Sequence, residues 1–302
     1  MRKDSGEIQH YREEIRLMTQ DARYDPKLSN AELATSISVL GIKKANTKPW
    51  QLFLLAILAG LYIALGGHIF LVAMVENMGR IAGGAVFSVG LVLVIIAGAE
   101  LFTGNIIMIV GAITARFTIR QLLTNWVVVY LGNLAGAVLT AILIYQSGLL
   151  GSVEAPNAIG LLSTDIAEAK LSQSFAEAFL RGVFCNMLVI LAIILATMAK
   201  DVISKIVCIT LPIMTFVACG FEHCVANMYL IPIGLFARGV PLLEHSVLFR
   251  NVLPVTLGNI AGGLFILLIH PNRIRQLMLL ATAHQRARQI KKSLKDHSAG
   301  GS

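Results

Sequence analysis

The sequence predicts an all-α membrane protein of six transmembrane segments, built as an inverted 3+3 repeat with broken second and fifth helices. Three observations carry that expectation. First, 56% of the 302 residues are hydrophobic and only 14% are charged, whereas a soluble domain is about one-quarter charged; the mean hydropathy is +0.74. Second, six apolar stretches follow one another at residues 50–75, 81–111, 119–146, 174–199, 203–237 and 251–270. Each reaches the roughly 20 residues needed to cross a hydrocarbon core of about 30 Å. Third, the motifs GAELFTGN (residues 98–105) and GFEHCVAN (residues 220–227) interrupt two of those stretches with a carboxylate, a glycine and polar groups. Backbone freed in this way is tolerated at membrane depth only where it is buried in protein or lines a cavity. Two such interruptions suggest a pore.

The elements follow in order. Residues 1–49 are polar and carry both charge signs, unlike a signal peptide, and are expected to form an amino-terminal tail on the cytoplasmic side. Within it, residues 8–23 suit an amphipathic surface helix. Residues 50–271 are expected to form the transmembrane domain. Its first, third, fourth and sixth segments suit single helices, while the second and fifth exceed the length of one straight crossing. Each of those two is therefore expected to be a half-helix, an irregular turn and a second half-helix or loop. Residues 272–302 read as a basic, solvated carboxy-terminal tail. Cys185, Cys208, Cys219 and Cys224 lie in apolar segments without CxxC spacing, which suits packing rather than a disulfide or metal site. No metal and no cofactor are expected.

The two halves resemble each other. Gly98/Gly220, Glu100/Glu222 and Asn105/Asn227 match at one offset, and Gly60 and Gly182 fall at the same offset. NWVVVYLGNLAG (residues 125–136) and NVLPVTLGNIAG (residues 251–262) match at a second offset. Each half then contains three segments. Three is odd, so the second half starts from the opposite face, and a pseudo-twofold axis in the membrane plane is expected to bring the breaks face to face near the midplane. Gly132, Gly136, Gly258 and Gly262 also suit close helix contacts.

Six crossings put both termini on one side. That side carries the tails, Arg116/Arg120 and Lys200/Lys205; the other has Arg80, Lys170, Arg238 and Arg250 among Glu76, Glu154, Asp165, Glu168 and Glu244. The positive-inside rule makes the termini cytoplasmic in a cell (inner) membrane. The net charge of +8 sits largely in the tails, where it suits anionic lipid and not nucleic acid.

GAELFTGN, the LGN segments and especially GFEHCVANMYLIP resemble the formate/nitrite transporter family, whose members include formate, nitrite and hydrosulfide channels. The resemblance covers residues 46–271 and implies an aquaporin-like fold, a homopentamer with one pore per protomer, and passage of a small monovalent anion with protons. There is no NPA motif, which separates the chain from true aquaporins. The family motif usually reads His-Ser where this chain has His223-Cys224, a departure that bears on substrate choice.

Within such a pore, His223 stands at the second break and is suited to proton exchange near neutral pH. A weak-acid anion would take a proton near it and cross as the neutral acid. Thr103, across the pseudo-twofold, is a partner for the imidazole or the permeant. The amino ends of the half-helices add positive dipole character. Lys170, where the family has a basic residue, would concentrate anions at the mouth or simply snorkel. Asn186 and Asn259 would orient the permeant, bridge to the broken backbone, or join helices. Glu100 and Glu222 would turn away and accept bonds from backbone amides at the breaks, with Asn105 and Asn227 completing the bracing. By resemblance, Phe87, Leu91 and Phe216 narrow one side of the histidine, and Leu101, Phe102 and Val189 the other. The loop 98–105, which carries Leu101, Phe102 and Thr103 together, would then gate by moving.

Formate leads among the substrates, with hydrosulfide or nitrite as alternatives. An intramembrane enzyme using His223, Glu222 and Cys224 is disfavoured: helix neighbours point apart and no HExxH-type spacing occurs. No catalytic residue is assigned. No P-loop is present to drive pumping.

Overall fold

The computed structural model describes residues 30–114, 116–241 and 246–269; the expected helix at 8–23 and the basic tail lie outside them. Described in order are α1 (Asn30–Asn46), α2 (Pro49–Val75), α3 (Gly79–Ile96), α4 (Phe102–Ile113), α5 (Ile119–Gln146), α6 (Ala158–Leu171), α7 (Phe175–Met198), α8 (Val202–Ala218), α9 (Cys224–Ala237) and α10 (Leu253–Ile269). The second segment is thus α3 and α4, and the fifth is α8 and α9. The described residues contain five helices long and apolar enough to cross a membrane, together with three shorter apolar helices, α4, α8 and α9. No more than half of each spanning window is buried, with Leu, Ile, Val and Phe exposed along it. A soluble monomer rarely shows so much contiguous apolar surface; lipid or neighbouring protein covers it here.

The helix ends follow local chemistry. Thr118 and Ser174 each form a capping box, with Gln121 and Glu177 respectively, and start α5 and α7. Pro49 opens α2 where its missing N–H is harmless. The breaks fall at residues 97–101 and 219–223. Gly98 (φ 84°) and Gly220 (φ 72°) turn the chain there, in a region that L side chains avoid. Leu101 (φ −110°, ψ 128°) and His223 (φ −112°, ψ 117°) then occupy matching extended positions before α4 and α9.

Hydrogen bonds locate the pseudo-twofold axis. Ser88 Oγ meets Thr210 Oγ1 at 3.0 Å, and the two lie 122 positions apart. Tyr130 OH meets Thr256 Oγ1 at 3.0 Å across 126 positions. A residue that touches its own repeat equivalent must straddle the axis. Helix contacts in turn correct one pairing read from the sequence. The carbonyls of Phe53 and Ile57 press on Gly132 and Gly136, as those of Phe179 and Val183 press on Gly258 and Gly262. The first helices of the halves therefore align at 126, so Gly182 matches Ala56 and Gly60 matches Asn186; the Gly60/Gly182 match at 122 was coincidental. These approaches are close: a Cβ on Gly262 would stand 2.0 Å from the Val183 carbonyl oxygen.

The repeat also reaches further toward the amino terminus than a tail at 1–49 implies. α1 precedes α2 as α6 precedes α7, and Asn125 donates to the Lys44 carbonyl (3.2 Å) just as Asn251 donates to that of Lys170 (2.9 Å).

Candidate functional site

The two breaks meet in the interior. His223, at the amino end of α9, accepts the Ala226 N–H on Nδ1 at 3.1 Å. A ring nitrogen that accepts carries no proton, so the neutral imidazole holds its proton on Nε2 and donates it to Thr103 Oγ1 at 2.9 Å. Thr103 belongs to the first turn of α4, two residues past the break, and is fully buried. Its hydroxyl hydrogen has no acceptor among the described residues. Phe216 stacks on the imidazole at 5.9 Å between centroids, and Phe87 meets Phe216 edge-on at 5.8 Å.

Two asparagines hold the broken backbone. Asn133 accepts the Phe102 N–H (2.9 Å) and donates to the carbonyls of Ala56 (2.8 Å) and Glu100 (2.9 Å). Asn259 accepts the Cys224 N–H (2.9 Å) and donates to those of Gly182 (2.8 Å) and Glu222 (2.9 Å). Both side chains satisfy groups that would otherwise be orphaned at membrane depth. Asn186 donates to the carbonyls of Asn259 (2.7 Å) and, more weakly, Thr103 (3.4 Å). Asn259 bridges to the broken backbone at Cys224 and Glu222, whereas the stronger bond of Asn186 joins α7 to α10.

The glutamates differ from expectation. Neither carboxylate accepts a backbone amide among the described residues. Glu100 takes Lys44 Nζ at 2.6 Å and Asn105 Nδ2 at 2.8 Å. Glu222 takes Lys170 Nζ at 2.6 Å, Gln173 Nε2 at 3.0 Å and Asn227 Nδ2 at 2.6 Å. The glutamates' own amides are engaged elsewhere: the N–H of Glu100 donates to Leu55, and that of Glu222 to Arg181. A charge in this setting is held better by an opposite charge than by a peptide dipole.

Two cavities approach the Thr103–His223 contact. One, of about 360 Å³, is lined by Ile37 and Lys44 near α1, by Leu91, Leu101 and Glu100, and by Lys205. The other, of about 310 Å³, is lined by Phe87, Phe216, His223, Lys170, Glu222 and Arg181. Leu91 therefore sits on the side of Leu101 and not with Phe87 and Phe216 as expected; it lies one helical turn beyond Phe87. Phe102 packs edge-on against Tyr130 (5.0 Å) and Trp126 (6.0 Å). Phe102 and Val189 are buried and line neither cavity. The segment 98–105 is not one loop, because Phe102–Asn105 is helical.

Reasoning from the sequence missed Asn133, Lys44, Asn125 and Asn251 as residues of the site. Asn133 stood in the LGN segment that repeats at Asn259. Lys44 lay in the presumed tail, where no apolar segment drew attention to it.

The formate/nitrite transporter family profile matches residues 31–271, most of the chain and all of the broken-helix region. The chain belongs to the formate/nitrite transporter family. A probable formate transporter of Methanothermobacter thermautotrophicus is 42% identical over 257 residues, covering 78% of this chain and 92% of the relative. The formate channel FocA of Haemophilus influenzae is 36% identical over 243 residues, covering 73% and 85%. Among solved structures, an FNT family ion channel superposes with a TM-score of 0.70 at 28% identity, covering 79% of this chain and 97% of that one. A pentameric formate channel with formate bound gives 0.60 at 31% identity, covering 71% and 92%. The aquaporin-like, multi-pass fold expected from the sequence is that of the family, and members of this family transport rather than catalyse.

Proposed function

We propose that the protein is a formate channel in which the anion crosses an apolar constriction with proton exchange beside His223. The observation that carries this reading is the buried Thr103–His223 hydrogen bond between two cavities that both hold cationic side chains. Relatives at 33–42% identity that are named as formate channels or a formate transporter support formate as the substrate.

The charge argument sets the mechanism. A carboxylate entering the constriction loses hydration, and low polarity favours its neutral acid. Formate takes a proton from cavity water close to the site and passes Thr103 as formic acid, releasing the proton on the far side. Because the Nε2 proton of His223 is directed at Thr103 Oγ1, the threonine hydroxyl hydrogen is left to donate to the permeant oxygen. Phe87, Leu91, Leu101 and Phe216, which line the two cavities, exclude hydrated ions. Asn186 and Asn259, with Glu100, Asn105, Glu222 and Asn227, hold the two breaks in register. The protein acts as a homopentamer with one path per protomer and both termini in the cytoplasm.

Flux of formate, nitrite and hydrosulfide into proteoliposomes over a pH series tests the reading. Formate flux is expected to rise as pH falls, and His223→Ala to change that profile and the order of substrates. Thr103→Val, which removes one hydrogen bond to the permeant, is expected to lower formate flux about tenfold. An unaltered pH profile and substrate order in His223→Ala would remove the proton-exchange mechanism. A larger flux of nitrite or hydrosulfide in the parent would reassign the substrate.

A further inference from the structure

The lysine nearest each break is not what gives its cavity a net charge. On the His223 side, Lys170 is 2.6 Å from Glu222, and the two side chains are 13% and 5% exposed. On the α1 side, Lys44 stands at the same distance from Glu100. Each pair is a local dipole with no net charge, and it contributes little to a field felt at the mouth. The His223-side cavity nevertheless carries two further cations in its wall, Arg80 and Arg181. They come from different helices, α3 and α7, and no Asp or Glu among the described residues lies within ion-pair distance of either.

We propose that Arg80 and Arg181 are the anion-gathering residues of the His223-side cavity, drawing small monovalent anions into it before the constriction. The inference rests on the channel reading above and goes beyond it by assigning the capture step to two named side chains. Two guanidiniums with no described carboxylate at ion-pair distance, Glu177 acting on Arg181 only through a longer-range charge interaction, focus the potential over a cavity with low-dielectric walls and raise the local anion concentration. Arginine fits this role because it keeps its charge at every working pH and offers a planar fork to a carboxylate. Because both are exposed, they can hold an anion loosely enough to release it inward. The Glu222 N–H donates to the Arg181 carbonyl at 3.2 Å, so the Arg181 backbone keeps its position relative to the break.

Initial formate flux as a function of concentration, in proteoliposomes sorted by protein orientation, tests the assignment. With formate on the His223 side and ionic strength near 10 mM, where the Debye length is about 30 Å, Arg80→Gln/Arg181→Gln is expected to raise the half-saturating concentration about 3–10-fold. The saturated rate and its pH profile should stay within about twofold of the parent. Near 1 M salt, where the Debye length is about 3 Å, the difference should shrink below about twofold. Arg238→Gln removes a charge that pairs with Glu168 outside this cavity and should match the parent. A double variant with unchanged half-saturation at low salt overturns the proposal, as does a rise that persists at about 1 M salt or one that Arg238→Gln reproduces. Absence of formate flux in the parent would instead overturn the channel reading, and this inference with it.

Discussion

His223 is placed by two bonds of different origin, and the difference fixes its chemistry. The Ala226 N–H reaches Nδ1 because α9 begins one residue after His223, leaving its first amides without helical partners. That capping bond selects the tautomer that points its proton at Thr103. A side chain that cannot accept there should lose both the cap and the directed proton. Asn133 and Asn259 act at the same scale. Each satisfies one amide and two carbonyls with a single carboxamide, using its full donor set. Asn259→Leu removes the partner of the buried Cys224 N–H and of the Glu222 carbonyl at the break, and is expected to destabilise the protein by about 2–4 kcal/mol; thermal melting in detergent measures it. Melting unchanged from the parent would remove Asn259 as a support of the break.

Between elements, two kinds of glycine act differently, and substitution separates them. Gly220 has a positive φ and nothing within 4 Å of an added Cβ, so Gly220→Ala meets only backbone strain, about 1–2 kcal/mol. Gly262→Ala drives a methyl into the Val183 carbonyl and must part α7 from α10. The expected order of melting temperatures is parent, Gly220→Ala, then Gly262→Ala, and a reversed order would contradict this packing. The ion pairs also join elements, since Lys44 ties α1 to the first break and Lys170 ties α6 to the second. Lys170→Met leaves a buried carboxylate without its cation and is expected to cost about 3–5 kcal/mol. Adding Glu222→Gln should recover part of that loss, because the orphaned charge is then gone. A double variant less stable than Lys170→Met would show that the glutamate is held by Gln173 and Asn227 alone.

Across the whole molecule, the inverted repeat produces a site that neither half contains. His223 belongs to the second break and Thr103 to the first, and they meet only because the axis marked by Ser88–Thr210 and Tyr130–Thr256 passes between the halves. The same symmetry gives two cavities, one toward each face. If each protomer of a pentamer carries its own path, co-assembly of parent chains with chains inactivated at Thr103 should give formate flux proportional to the parent fraction. A single shared path would make flux fall far more steeply.

The sequence by itself determined the membrane class, the six segments, the two breaks and the polar residues at them. Those follow from composition and period, and from carboxylates and glycines placed where hydrocarbon tolerates neither without a reason. It also carried the inverted repeat, though not its register in the first helices, because isolated glycines recur by chance in apolar sequence. Only the tertiary structure decided that register, the tautomer of His223, the side on which Leu91 lies and the partners of Glu100 and Glu222. It alone joined Lys44, from a stretch that reads as tail, to the first break. The contacts that decide these points join distant residues, 56 positions apart for Lys44 and Glu100 and 120 for Thr103 and His223. They are set by how closely helices pack and which donors reach a buried acceptor, and local patterning holds no record of that.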